Sequence, residues 1–65
     1  MRHTDIREGD RLRLRPDNPY GYGPMIVPVD GLRYRPGYKV PHVIVNGVGA
    51  FQPRDFQRHA RKGES

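Results

Sequence analysis

The sequence predicts a small all-β domain, mainly four or five short antiparallel strands with a short helical turn near the C-terminus. Three observations carry that prediction. Arg11-Leu12-Arg13-Leu14-Arg15 alternates basic and apolar side chains, the period-two pattern of a strand with one wet face. Asn46-Gly47 stands between two β-prone runs, His42-Val43-Ile44-Val45 and Val48-Gly49-Ala50-Phe51, which marks a tight hairpin. Seven prolines and eight glycines are spread along 65 residues, a density of breakers that leaves little room for long helices.

Taken in order, residues 1–5 are polar and are expected to be a mobile end, with Ile6 the first apolar anchor. Glu8-Gly9-Asp10 is a turn that launches the first strand, where Leu12 and Leu14 face a small core and the arginines face out. Residues 16–24 hold three prolines and two glycines and read as a long loop carrying Tyr20 and Tyr22. Met25-Ile26-Val27-Pro28-Val29 is β-prone, but Pro28 cannot donate to a ladder and belongs on an edge or at a bulge. Asp30-Gly31 turns the chain, Leu32-Arg33-Tyr34-Arg35 resumes the alternation, and Pro36-Gly37 breaks it again. In the Asn46-Gly47 hairpin a two-residue turn with positive φ at both positions pairs Val45 with Val48 and sets Ile44 against Gly49. Pro53 suits a first helical turn, and Phe56 with Ala60 has i,i+4 spacing, so residues 53–61 read as a short helical segment. Residues 62–65 are expected to be a second mobile end. Nothing divides the chain, so residues 1–65 read as one domain.

Leu, Ile, Val and Phe together number 14, enough for a thin core and little more. There is no cysteine, which removes disulfides and thiolate metal sites from consideration. The formal charge is +5, and ten of the twelve basic residues are arginines. Such a balance favours polyanionic partners: nucleic acid (DNA or RNA) or an acidic protein surface. No apolar run approaches the roughly 20 residues of a membrane span, and Met1-Arg2-His3-Thr4-Asp5 does not open a signal peptide, so a cytoplasmic protein without membrane contact is expected.

The opening Ile6-Arg7-Glu8-Gly9-Asp10-Arg11-Leu12-Arg13-Leu14 and the closing Asn46-Gly47-Val48-Gly49-Ala50-Phe51-Gln52-Pro53-Arg54-Asp55-Phe56 resemble the small Src-homology-3-like (SH3-like) barrels of bacterial and phage proteins. The resemblance covers about fifty residues. It implies a barrel of short strands with a long first loop, a ligand surface on that loop, and Phe56 plugging the barrel end. The chain departs from the peptide-binding members in having no tryptophan for the floor of a proline-peptide groove. It also lacks a counterpart of the active-site Val-Gln-Ile-Tyr stretch of the plasmid-borne dihydrofolate reductases, which open similarly.

Two constellations bear on function. Arginines two apart on a strand are about 6.8 Å apart, a spacing suited to a run of phosphates or carboxylates. Arg11, Arg13 and Arg15, extended by Arg33 and Arg35 from a second strand, are therefore the candidate nucleic-acid-binding residues. The alternative is a solvated edge whose arginines pair with Asp10, Asp17 and Asp30. Tyr20, Tyr22, Tyr34 and Tyr38 are the candidate partner-binding residues, either as stacking or docking groups or as a cover for the core. Arg13-x-x-Pro16-x-x-Pro19 matches a basic PxxP pattern but overlaps a strand, which weakens it. His3, His42 and His59 are far apart, Asp55 with His59 reads as a local helix pair, and no nucleophile, metal set or phosphate loop is assembled. The expectation is a non-enzymatic binding module needing neither metal nor cofactor. Its leading partner is nucleic acid; the second is a protein, as when a small phage protein docks a host factor.

Overall fold

The structure is a computed structural model and describes residues 1–64. The fold is all-β. Six strands, β1 (Arg11–Leu14), β2 (Ile26–Pro28), β3 (Gly31–Arg33), β4 (His42–Val45), β5 (Gly49–Phe51) and β6 (Phe56–His59), form two antiparallel sheets ordered β2-β1-β6 and β3-β4-β5. Two 3₁₀ turns, His3–Asp5 and Pro53–Asp55, complete the regular structure among the described residues.

The alternation in β1 does what period-two patterning requires: Leu12 and Leu14 are fully buried, while Arg11 and Arg13 face out. Pro28 ends β2, an edge strand, where its missing N–H leaves no ladder bond unmade. The chain then passes from one sheet to the other within two residues. The Val29 N–H donates to the Asp10 carbonyl at 2.7 Å, and the Asp30 N–H donates to the Ile44 carbonyl at 2.8 Å. Residues 26–33 thus serve both sheets, and one core lies between them: Ile6, Leu12, Leu14, Val27, Val29, Val43, Val45, Phe51 and Phe56.

The hairpin forms where the sequence puts it, but one residue out of the expected register. Val45 pairs with Gly49, Ile44 with Ala50 and Val43 with Phe51. The Val48 N–H closes a β-turn on the Val45 carbonyl at 3.0 Å. Only Gly47 of the turn residues has positive φ, at 79°, so Asn46 does not take the left-handed conformation that a primed turn demands. The Asp30 carboxylate accepts the Asn46 N–H at 2.7 Å and fixes this alternative. Val48 is thereby spared from the ladder and packs against the core.

The C-terminal region also differs from expectation. Pro53 does start a 3₁₀ turn, with Gln52 and Asp55 exchanging capping hydrogen bonds, but the helix stops after one turn and residues 56–59 become β6. The reason is an unfilled place beside β1. Phe56 pairs opposite Leu14 with its ring in the core, and Arg58 and His59 pair opposite Arg13 and Leu12. A continued helix would leave that edge of β1 without backbone partners.

Both ends of the described chain make hydrogen bonds. The Met1 ammonium donates to the carbonyls of Pro53 and Phe56 at 3.2 and 3.3 Å. At the other end a turn runs from Arg61 to Glu64, closed by the Glu64 N–H on the Arg61 carbonyl at 2.9 Å. Ser65, the last residue of the expected mobile end, lies outside the described residues.

Candidate functional site

Charged side chains gather on the outer face of β1 and β6. A bulge builds it. Leu12 and Arg13 pair with His59 and Arg58 in step, but Leu14 pairs with Phe56, so Gln57 is an extra residue. The bulge lets Phe56 point into the core while Gln57 and Arg58 both reach the outer face, where the Arg13 guanidinium donates to the Gln57 side-chain oxygen. Arg13 and Arg58 therefore stand directly opposite each other across the ladder, a repulsive placement unless an anion lies between them.

That anion is Glu64. Arg58 holds its carboxylate with two parallel bonds, at 2.7 and 2.9 Å, and Arg13 Nε approaches to 4.0 Å. The Arg61 backbone N–H donates to the same carboxylate at 2.9 Å, and Arg11 donates to the Glu64 main-chain oxygen at 2.9 Å. Arg58, then the Arg61 N–H, draw the Glu64 carboxyl down to about 2. Three guanidiniums thus converge on Glu64, and the Arg58 fork is a geometry that carboxylates and phosphates share.

The other predicted arginines lie elsewhere. Arg15 follows the end of β1, its N–H bonded to the Asp55 carbonyl at 2.9 Å. Its side chain lines an open polar pocket of about 370 Å³ with Asp17, Asn18, Arg54 and Asp55. Arg33 sits on β3, in the other sheet, opposite His42, and Arg35 lies beyond the strand, in the β3–β4 connection. Arg11 and Arg13 share a face with Arg58, which stands on β6 and not on a helix. None of the three arginines pairs with Asp10, Asp17 or Asp30 in a salt bridge among the described residues; the counter-ion is Glu64. Asp10 instead takes His59 Nε2 at 3.0 Å and the Arg7 N–H at 2.9 Å, and these, the Arg7 bond first, hold its carboxyl below the ordinary range.

The Tyr20–Tyr22 loop is ordered by one residue. Asn18 donates its amide to the carbonyls of Arg15 and Gly23 at 2.8 and 2.9 Å, and accepts the N–H groups of Tyr20 and Tyr22 at 3.1 and 3.3 Å. The loop lies back on the core, with both tyrosine rings edge-on to Phe51 at 5.2 and 6.2 Å. The Tyr20 hydroxyl donates to Asp55 at 2.9 Å. Burial and the Asp55 carboxylate push that phenol above its usual range. Asp55, 8% exposed, is thus a partner of Tyr20 and of the Gln52 N–H, not of His59 as the helical spacing implied. Each ring still shows nearly half its surface, so these tyrosines both cover the core and present a contact surface.

Tyr34 and Tyr38 lie on the β3–β4 connection. Tyr34 is the most exposed aromatic, at 70%, and Tyr38 packs edge-on against His42 at 4.7 Å. No protein-family model, curated protein or solved structure matches the chain. No helix of the structure is long and apolar enough to cross a membrane.

Proposed function

We propose that the chain is a non-enzymatic binding module that takes nucleic acid on the Arg11–Arg13–Arg58 face. The observation that carries this reading is the placement of Arg13 and Arg58 directly across β1 and β6 with a carboxylate gripped between them. Opposed guanidiniums on a rigid ladder are costly without an anion and suited to one with it. A formal charge of +5 adds a long-range attraction for polyanions. Tyr20 and Tyr22, stacked on each other and half-exposed, offer aromatic surface to unpaired bases. Support for an SH3-like scaffold comes from the strand order β2-β1-β6 beside β3-β4-β5, the residues 26–33 that serve both sheets, and the 3₁₀ turn before the last strand.

The test is fluorescence anisotropy with short single- and double-stranded DNA and RNA at low and moderate salt. Salt-sensitive binding that is lost on charge reversal of Arg11, Arg13 and Arg58 is the expected result. No binding at low salt overturns the reading.

A second reading, docking of a protein through the tyrosines, is favoured by the exposure of Tyr34 and Tyr38 beside the half-covered Tyr20 and Tyr22. It predicts a partner whose binding is lost on Tyr22→Ala and depends weakly on salt.

A further inference from the structure

The arginine face is already occupied by part of its own chain. The turn at 61–64, with Gly63 at a φ of 81°, brings Glu64 back over β6 and sets its carboxylate in the fork of Arg58 and beside Arg13. The oxygens that accept the Arg58 fork stand where two non-bridging oxygens of a phosphate would stand. The Glu64 main-chain oxygen occupies Arg11 as well.

The same segment is held by polar contacts alone. None of residues 61–64 belongs to the hydrophobic core, so no core side chain leaves with the segment. Its hold on the face is polar and only partly buried, so solvent screens the ion pairs and a second anion can compete for them. What release does cost is the counter-ion: Arg13 and Arg58 would again oppose each other unpaired. Opening is therefore favourable when another anion arrives and unfavourable before.

We propose that Glu64 is a tethered competitor for phosphate: the 61–64 turn closes the arginine face, and a polyphosphate strand binds by displacing it. The inference rests on the nucleic-acid reading of that face. A tethered carboxylate outcompetes isolated small anions, because its effective concentration is high. A strand engaging Arg11, Arg13 and Arg58 through several phosphates displaces it. The turn thus makes the face selective for polyanions over single anions, a property the three arginines alone would not have.

The experiment compares wild type, Glu64→Gln and Glu8→Gln by anisotropy on a labelled single-stranded oligothymidylate at low salt. Glu8 lies exposed in the turn before β1, outside the arginine face, so Glu8→Gln makes the same change in net charge without touching the competitor. Glu64→Gln is expected to bind about twofold to fivefold tighter than wild type, the effect of one partly exposed ion pair, and Glu8→Gln distinctly less so. Equal effects of the two substitutions overturn the competitor and leave the arginine face standing. No binding by any of the three proteins overturns both. A second readout is the carboxyl ¹³C shift of Glu64 against pH in the free wild-type protein. Titration near 2 is expected, and titration at the ordinary 4.5 overturns the closed turn.

Discussion

Asp55 shows how much a single side chain organises here. It is buried, closes the 3₁₀ turn on the Gln52 N–H, and receives the Tyr20 hydroxyl from a loop thirty-five positions earlier. Tyr20→Phe removes one of those donors and leaves the ring packing on Phe51 intact. A loss of about 1 kcal/mol is expected, read as a fall of about 4–8 °C in the thermal midpoint of a domain this size. An unchanged midpoint would mean that water replaces the hydroxyl at no cost. Asp10 makes a separate, pH-dependent contribution. Its carboxyl lies below the ordinary 3.8 because the charged form accepts the Arg7 N–H and faces His59. The native state therefore favours the ionised form. Its contribution is fully present above the ordinary carboxylate value and is lost as pH falls below it. Urea denaturation between pH 2 and 6 is expected to show a stability that declines with acid less steeply in Asp10→Asn than in wild type. Parallel curves would remove Asp10 from the acid response. Neither Asp55–Tyr20 nor Asp10–His59 was legible in the sequence, because each joins residues at least thirty-five apart and no local pattern selects the partner.

Elements were legible to the extent that their pattern was local. Leu12 and Leu14 alternate with arginines, and that alone fixed their burial. The hairpin was placed by Asn46-Gly47, but its register was set by Asp30, sixteen residues away, whose carboxylate takes the Asn46 N–H. Gly47 at a φ of 79° is then the one turn position that a side chain would strain. Gly47→Ala is expected to destabilise by about 1–2 kcal/mol, the cost of a left-handed conformation with a Cβ, measured as a shift in the urea midpoint. An unchanged midpoint would mean that the turn relaxes into another type. Strand β6 was hidden for a physical reason. Pro53 and the Phe56–Ala60 spacing are good helix signals, and they lose because β1 needs a backbone partner on that side. With β6 unread, Arg58 stayed off the arginine face and Glu64 stayed in a tail, so half of the candidate site required the tertiary structure.

At the scale of the whole molecule, charge is organised by the passage of the chain between sheets at Val29 and Asp30. That passage separates Arg33 on one sheet, with Arg35 in the loop that follows it, from Arg11, Arg13 and Arg58 on the other. A reading in which all basic residues act alike predicts a salt dependence set by net charge. A reading in which one face acts predicts a dependence set by three guanidiniums. Each phosphate of a single strand neutralised by the protein contributes about 0.7 to the slope of log K against log salt, so three contacts give a slope of about −2. Arg13→Ala is expected to make that slope shallower by about 0.7, and Arg33→Ala to leave it unchanged. The affinity lost with Arg13 is expected to be similar across oligonucleotide sequences, since a phosphate contact positions the strand without reading its bases. Titration at four or five salt concentrations decides it: equal changes in slope from Arg13→Ala and Arg33→Ala would show that the strand follows the basic surface as a whole and not the β1–β6 ladder.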